Sequence, residues 1–181
     1  MRLVILDRDG VINQDSDAFI KSPEEWNPIP GSLEAIARLN SAGYEVVVAS
    51  NQSGLARGLF DHAALTAIHT KLHAMAASAG AHIEKILFCP HAPQDNCQCR
   101  KPRPGMFQTI AQCYGIRLNG IPAVGDSLRD LQAAVAEGCV PYLVLTGKGE
   151  ATRIKGGLPP GTVICADLGG AVERILQSSG E

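Results

Sequence analysis

Two aspartates, Asp7 and Asp9, stand two positions apart directly after the apolar residues 3–6. The apolar run predicts a buried strand, so both carboxylates are expected near the core, at the end of that strand. Removing a carboxylate from water is costly unless a partner compensates, and a cation is the usual partner. Two neighbouring acids also permit divided roles, in which one attacks as a nucleophile while the other carries a proton for the leaving oxygen.

A second group of reactive side chains lies in the segment CPHAPQDNCQCRKP, residues 89–102. Its potential metal ligands follow the spacing C-x-H, five residues, C-x-C, and are Cys89, His91, Cys97 and Cys99. Three thiolates and one imidazole make a closed tetrahedral set for zinc. Because all four ligands would come from the protein, a structural role is expected. The alternative is an ordinary loop of reduced cysteines.

Alternating strands and helices must position these groups. Short apolar runs predict strands buried on both faces of a parallel sheet; they are 2–6, 44–49, 84–88, 121–125 and 140–145, with a short edge strand in TVICA. Amphipathic patterns predict helices near 32–42, 61–79, 105–114, 128–137 and 168–178. This alternation predicts an α/β fold with a doubly wound, mainly parallel sheet, in one domain spanning 1–181.

Ligands of such sheets bind beyond the carboxyl ends of the strands. Polar or ionisable side chains follow four of the predicted strands, which places them at one edge of the sheet. In chain order these are Asp7 and Asp9; Ser50, Asn51, Gln52 and Ser53; Arg100 and Lys101; and Asp126 with Asp130 one turn later.

Together these residue types favour phosphoryl transfer. Asp7 and Asp126 are hard oxygen ligands of the kind that Mg²⁺ prefers. Lys101 adds a positive charge, and Ser50 with nearby backbone N–H groups can hold phosphate oxygens. Positioning and charge neutralisation supply most of the catalysis in this chemistry. An aspartyl-phosphate on one of the two acids, followed by attack of a water that the other acid activates, is therefore a reasonable route.

Composition limits the partners. The chain has 181 residues, a net charge of −2 and 45% hydrophobic residues, so nothing indicates a bulk attraction to nucleic acid or anionic lipid. The N-terminal apolar run is too short for a signal peptide, and no stretch approaches the roughly 20 apolar residues of a membrane helix. We expect a cytoplasmic monomer. The other three cysteines, Cys113, Cys139 and Cys165, are predicted to be small core residues.

Four motifs in order carry a family resemblance: DRDG at 7–10, a serine after the second strand, KP at 101–102 and GDS…D at 125–130. They resemble the motifs of haloacid-dehalogenase-type phosphatases over nearly the whole chain, although a single D-x-D-G can also be a turn. The resemblance implies Asp7 as the nucleophile and Asp9 as the general acid/base. It further implies that Ser50 and Lys101 bind phosphate and that Asp130 supports its neighbours. Mg²⁺ would be bound by Asp7, Asp126 and the backbone carbonyl of Asp9.

A zinc loop in this place resembles two subgroups, the heptose-bisphosphate 7-phosphatases and the related histidinol-phosphate phosphatases. SNQSGLARG at 50–58 and RKP at 100–102 resemble the heptose type, which gives Arg57 and Arg100 substrate contacts. The implied reaction removes the 7-phosphate of D-glycero-D-manno-heptose 1,7-bisphosphate, on the route to the lipopolysaccharide core. One departure is Ser127, where these phosphatases commonly carry lysine.

No insertion large enough for a cap domain interrupts the chain, so residues 14–30, 51–60 and the zinc loop should wall the substrate. Asp15 is a candidate ligand for sugar hydroxyls, with a solvated loop acid as the alternative. Trp26 is expected to pin its loop by packing, with sugar stacking as the alternative. His69 and His73 lie four apart without a third ligand, which indicates surface or half-buried histidines.

Three functional alternatives stay open. They are a histidinol-phosphate phosphatase, a polynucleotide 3′-phosphatase, and a metal-stabilised binding module that has lost catalysis. A polynucleotide 3′-phosphatase is disfavoured because the sequence shows no basic groove. A binding module is disfavoured because it would not require the second acid, Asp9.

Overall fold

Six short runs rich in β-branched residues form one parallel sheet in the computed structural model, which describes residues 1–178. The strands are β1 (Arg2–Leu6), β2 (Tyr44–Asn51), β3 (Lys85–Cys89), β4 (Pro122–Gly125), β5 (Val140–Val144) and β6 (Val163–Cys165). Their order across the sheet is β3-β2-β1-β4-β5-β6, and every pairing is parallel. The winding direction reverses between β1 and β4, the place where open α/β sheets bind their ligands.

Six α-helices connect or follow the strands. They are α1 (Ser32–Ser41), α2 (His62–Ser78), α3 (Gly105–Tyr114), α4 (Leu128–Ala136), α5 (Gly149–Lys155) and α6 (Leu168–Ser178). The pattern predicted five of them to within two residues and missed α5. That helix has only seven residues and buries only Gly149, so it carries no apolar stripe that a periodicity could show.

Helices cover both faces of the sheet, which confirms the doubly wound prediction. On one face the buried side chains of α1, α2 and α6 pack against alternate residues of β1, such as Val4 and Leu6. On the other face α3 and α4 pack against Leu3 and Ile5. The central strands are therefore buried on both sides, and this explains their unbroken apolar character.

The core prediction was wrong for one cysteine. Cys139 and Cys165 are buried as expected, but Cys113 is exposed. It lies in the last turn of α3, whose buried residues all belong to the first two turns.

The long segment between β1 and α1 is pinned from inside. Trp26 is fully buried, so its predicted packing role is confirmed and sugar stacking is excluded. The Lys71 Nζ group on α2 donates to the carbonyl oxygens of Pro23 and Trp26, each at 2.7 Å. Within residues 1–178 neither this segment nor the one between β2 and α2 contains a cap domain. In the same part of the chain, no helix combines the length and apolarity needed to cross a bilayer.

Candidate active site

The carboxyl ends of β1, β2 and β4 surround a cavity of about 210 Å³ at the topological reversal. Nine of the predicted site residues line this cavity: Asp7, Asp9, Asp15, Asn51, Gln52, Ser53, Arg57, Arg100 and Asp126. Three others, Ser50, Lys101 and Asp130, are buried close by and do not line it. The chain thus brings together side chains from four separate strand ends.

Three buried carboxylates converge behind the cavity. Asp7, Asp126 and Asp130 each offer an oxygen atom, and these atoms lie within 4.8 Å of one another. The pKa of Asp7 is raised to about 6 and that of Asp126 to about 8. For both, burial is the largest cause and the charge of Asp130 is the second. Ionised carboxylates repel one another in a desolvated space, so a bound cation would stabilise their charged forms. Hard carboxylate oxygens suit Mg²⁺.

Two glycines make room for the Asp126 carboxylate. Gly10 has a φ of +82°, a value that favours glycine, and a Cβ atom there would overlap Asp126 Oδ2. Gly147, after β5, is crowded by the same oxygen. The Lys148 backbone N–H donates to Asp126 Oδ2 at 2.8 Å. The glycine of DRDG is therefore required by the close approach of a distant carboxylate.

Lys101 is the central cation of the site and is only 2% exposed. Its Nζ lies 3.0 Å from Asp7 Oδ1 and 2.7 Å from Asp130 Oδ1, and it also donates to the Ala49 carbonyl oxygen at 2.7 Å. Burial lowers the pKa of Lys101, but the two carboxylates outweigh it and raise the pKa overall. Lys101 is therefore charged and holds the oxygen of Asp7 in place.

Asp130 acts as the partner of Lys101. Burial raises the pKa of Asp130, but Lys101 outweighs it, so the pKa is lowered overall. Its Oδ2 accepts hydrogen bonds from the Ser127 N–H at 3.0 Å and the Ser127 hydroxyl at 2.6 Å. Ser127, at the position where the family resemblance led us to expect lysine, thus caps α4 and binds Asp130.

Asp9 is fixed by hydrogen bonds on both oxygens. Oδ1 accepts from Arg8 Nε and Asn13 Nδ2, each at 2.9 Å, while Oδ2 accepts from Arg8 Nη2 at 3.2 Å and Gln52 Nε2 at 3.0 Å. Burial raises the pKa of Asp9, but Arg8 and these hydrogen bonds outweigh it and lower the pKa. Arg8 was not among the predicted site residues. An arginine inside an otherwise buried motif was the available signal.

The segment after β2 organises the site from the side. Gln52 Nε2 also donates to Ser50 Oγ at 2.8 Å, which links Ser50 to Asp9. The Asn51 side chain binds the Lys101 backbone twice, donating to its carbonyl oxygen at 3.1 Å and accepting from its N–H at 3.0 Å. Asn51 therefore positions Lys101, in addition to lining the cavity.

The rim of the cavity is cationic. Lys148 Nζ lies 3.5 Å from Asp15 Oδ2 and 3.6 Å from Asp17 Oδ1, so its charge is partly compensated. Three arginines at the rim, Arg57, Arg100 and Arg129, have no carboxylate within ion-pair distance among residues 1–178. The Nε atom of Arg129 is buried, and no acceptor for it exists in that part of the chain.

Arg129 and Lys148 were also missed. Lys148 follows β5, a strand whose end was not included in the set of predicted site segments. Arg129 stands three positions after Asp126, in the first turn of α4, where the helix enters the site.

The four predicted metal ligands of the loop after β3 share one centre. The Sγ atoms of Cys89, Cys97 and Cys99 lie 3.0–3.6 Å from one another. His91 Nδ1 lies 3.6 Å from Cys89 Sγ and 3.3 Å from Cys99 Sγ. All of the cysteines are free thiols. Zn–S and Zn–N bonds of about 2.3 and 2.1 Å fit around such a centre, so the group suits a tetrahedral zinc ion.

Comparisons with known proteins agree with this geometry. A family model described as HAD-hydrolase-like matches residues 98–171, and one described as polynucleotide kinase 3 phosphatase matches residues 2–127. A D-glycero-beta-D-manno-heptose-1,7-bisphosphate 7-phosphatase of Bordetella bronchiseptica is 60% identical over 99% of this chain and 100% of its own length. One from Pseudomonas aeruginosa is 54% identical, over 97% of this chain and 98% of its own length.

A solved structure extends the likeness to the backbone. It is the crystal structure of D,D-heptose 1,7-bisphosphate phosphatase from B. bronchiseptica complexed with magnesium and phosphate. The TM-score is 0.97 at 60% identity, with 98% of this chain and 99% of that chain covered.

Proposed function

The chain belongs to the D-glycero-β-D-manno-heptose-1,7-bisphosphate 7-phosphatases of the haloacid-dehalogenase-like hydrolases, and from that premise we propose how its residues act. It is a phosphatase that removes the 7-phosphate of heptose 1,7-bisphosphate. The β anomer, which the relatives' names specify, is proposed as its substrate. The reaction serves nucleotide-activated heptose and lipopolysaccharide core synthesis.

Asp7 is proposed as the nucleophile. One of its oxygens is held 3.0 Å from Lys101 Nζ, which leaves the other to attack phosphorus. The bond from phosphorus to the sugar oxygen then breaks, and Asp9 gives its proton to that oxygen. Although Arg8 lowers the pKa of Asp9, an arriving phosphate dianion raises it by repulsion. The Asp9 carboxylate afterwards takes a proton from the water that hydrolyses the aspartyl-phosphate.

Mg²⁺ is proposed to be held by the carboxylates of Asp7 and Asp126 and the backbone carbonyl of Asp9. When bound, it would neutralise negative charge on the phosphate oxygens. Gln52 and Ser53 line the cavity, and Ser50 is buried beside it and linked to Asp9 through Gln52, so these three residues are proposed as phosphate ligands. The convergence of Asp7, Lys101 and Asp126 at the sheet reversal is the observation that carries the mechanism.

The substrate is tested by phosphate release in Mg²⁺ from three compounds. We expect heptose 1,7-bisphosphate to be hydrolysed with a kcat/KM at least about 100-fold above that for histidinol phosphate or a 3′-phosphorylated oligonucleotide. Both heptose anomers should be included. Hydrolysis of histidinol phosphate alone would overturn the substrate and leave the mechanism intact.

The 3′-phosphorylated oligonucleotide is included in that assay because of a match to a family model. The family model described as polynucleotide kinase 3 phosphatase matches residues 2–127, which contain the DRDG motif and the segment after β2. The rim arginines line a cavity of about 210 Å³ that Asp15 and Asp17 also line, an arrangement that suits a small substrate better than a strand of nucleic acid. We therefore propose no nucleic-acid partner.

The rim arginines are proposed to hold the phosphate that is not transferred. Arg129→Met should raise KM for heptose 1,7-bisphosphate about tenfold and change kcat little, since it removes one charge-assisted contact remote from the reacting phosphorus. Steady-state kinetics measure this. Heptose 7-phosphate is the control substrate, because it lacks the second phosphate and its KM should hardly change. Equal effects on both substrates would contradict the assignment.

We propose that Cys89, His91, Cys97 and Cys99 bind structural zinc. Metal analysis should find about one zinc per chain, and Cys97→Ser should lower Tm by about 10 °C because the loop loses its crosslink. Activity should fall indirectly, since this loop delivers Arg100 and Lys101. Cys113→Ser, at an exposed cysteine outside the group, is the control and should keep both zinc and Tm. Protein purified without chelators that holds no zinc would refute the site.

Magnesium binding should depend on pH. The folded pKa values of Asp7 and Asp126 lie above the ordinary value of 3.8, so metal-free protein loses stability as pH rises from about 4 to 8. Mg²⁺ favours the ionised forms. The gain in Tm on adding Mg²⁺ should therefore be small near pH 5 and several degrees near pH 8, measured by thermal melting. Asp126→Asn should abolish most of the gain, and an equal wild-type gain at both pH values would contradict this reading.

Free thiols and a zinc-binding loop suit a reducing compartment, so we propose the cytoplasm. We also propose that the chain acts as a monomer built on a single phosphatase domain spanning 1–181, of which residues 179–181 lie outside the described part.

A further inference from the structure

Arg8 is a fully buried arginine that the reaction scheme does not use. It is 0% exposed, and three of its nitrogen atoms make side-chain hydrogen bonds. Nε and Nη2 form a fork on the two oxygens of Asp9, and Nη1 lies 3.2 Å from His69 Nε2. Burying a guanidinium is costly unless its N–H groups have hydrogen-bond partners on every side. His69 supplies the pairing on the side away from Asp9.

The chemistry of the pair determines the state of His69. Arginine stays protonated and can only donate, so His69 Nε2 must accept and the imidazole must be neutral. Burial, and next the charge of Arg8, lower the pKa of His69 to about 4, in agreement with that state. The ring is held against Phe88 with 6.0 Å between ring centroids. His69 is therefore a fixed acceptor at neutral pH.

The fixed acceptor limits how Asp9 can move. A guanidinium that forks onto a carboxylate sets the plane of that carboxylate. Without the acceptor on Nη1, the fork could rotate about its own bonds, and two of the four side-chain hydrogen bonds that fix Asp9, those from Arg8, would shift with it. A general acid must lie within hydrogen-bond reach of the oxygen it protonates, so small displacements are expensive.

We propose that His69 is a positioning residue for catalysis: it accepts from Arg8 Nη1 and thereby fixes the Arg8 fork that orients Asp9 toward the leaving oxygen. The inference rests on the proposed role of Asp9 as the general acid. It concerns proton transfer to the leaving group and leaves attack by Asp7 unaffected.

The test separates positioning from stability by varying the leaving group. A sugar oxygen needs the proton of Asp9, whereas the oxygen of p-nitrophenyl phosphate leaves readily without one. His69→Leu should lower kcat/KM for heptose 1,7-bisphosphate at least about tenfold and kcat/KM for p-nitrophenyl phosphate less than about twofold. The comparison uses kcat/KM because this constant covers the steps up to loss of the leaving group and excludes hydrolysis of the aspartyl-phosphate, in which Asp9 acts as the base for both substrates. His69→Gln should restore kcat/KM for heptose 1,7-bisphosphate, because the glutamine Oε1 atom can occupy the place of Nε2.

The matched control is His62→Leu. His62 lies on the same helix and against the same Phe88 ring, 6.1 Å between centroids, but it is exposed and does not contact Arg8 among residues 1–178. It should leave both substrates unaffected. If His69→Leu does not fold, His69→Asn serves instead, because its side chain is too short to reach Arg8.

Equal losses of kcat/KM on the two substrates, or failure of His69→Gln to restore kcat/KM for heptose 1,7-bisphosphate, would overturn the inference. The proposed function fails separately, if wild-type protein does not prefer heptose 1,7-bisphosphate. In that event the ratio is measured with whichever alkyl phosphate the wild type hydrolyses, so the two failures are distinguishable.

Discussion

Asp7→Asn should abolish turnover, with kcat at least about a thousandfold below wild type. The amide oxygen is a poor nucleophile, and an amide cannot form the acyl-phosphate. The substitution preserves size and leaves an oxygen that can accept the Arg8 backbone N–H, which binds Asp7 Oδ1 at 2.8 Å in the wild type. The fold should therefore survive, and phosphate release with a thermal melt measures both properties.

The matched control for this experiment is Asp17→Asn. Asp17 is an acid at the mouth of the same cavity, but its side chain is almost fully exposed. Its loss should change kcat less than about threefold, because an exposed charge is screened by water. Wild-type-like turnover by Asp7→Asn would refute the nucleophile assignment whatever the control does.

Lys101→Met should both inactivate and destabilise the protein. It leaves Asp7 and Asp130 buried without their shared cation, and breaking a buried ion pair costs about 3–5 kcal/mol. Methionine matches the length of the lysine stem, so packing is largely retained. Chemical denaturation at neutral pH, in the presence of EDTA, measures the loss of unfolding free energy, and a phosphate-release assay in Mg²⁺ measures the loss of activity.

The pH dependence identifies the cause of that loss. Without Lys101 the pKa of Asp7, already above the ordinary 3.8, rises further, and the pKa of Asp130 rises because it loses the charge that lowers it most, so the deficit in stability should be small near pH 4 and grow as pH rises through those values. Lys148→Met, which removes a half-exposed lysine at the rim, should cost less than about 1 kcal/mol at every pH. A Lys101→Met deficit independent of pH would mean that lost packing, rather than charge, dominates.

Residue patterns along the chain were enough to predict the architecture and the reactive groups. Unbroken apolar strands signalled a sheet covered on both faces, and the acids at strand ends signalled phosphoryl transfer, because parallel strands end at one edge. The spacing C-x-H…C-x-C indicated zinc, since the ligand types alone restrict the metal. These features are local, so a linear pattern can carry them.

Which distant side chains become partners was seen only in the folded chain. His69 stands 61 positions from Arg8, and Asn51 stands 50 positions from Lys101, yet each pair is joined by hydrogen bonds. Arg129 and Lys148 reach the cavity because α4 and the turn after β5 approach β1. Contacts between distant segments depend on how helices pack on the sheet and how loops cross its edge. A pattern of residue types along the chain does not specify those distances. The hydrogen-bond partners of Asp9 and Lys101 were therefore seen only in the folded structure.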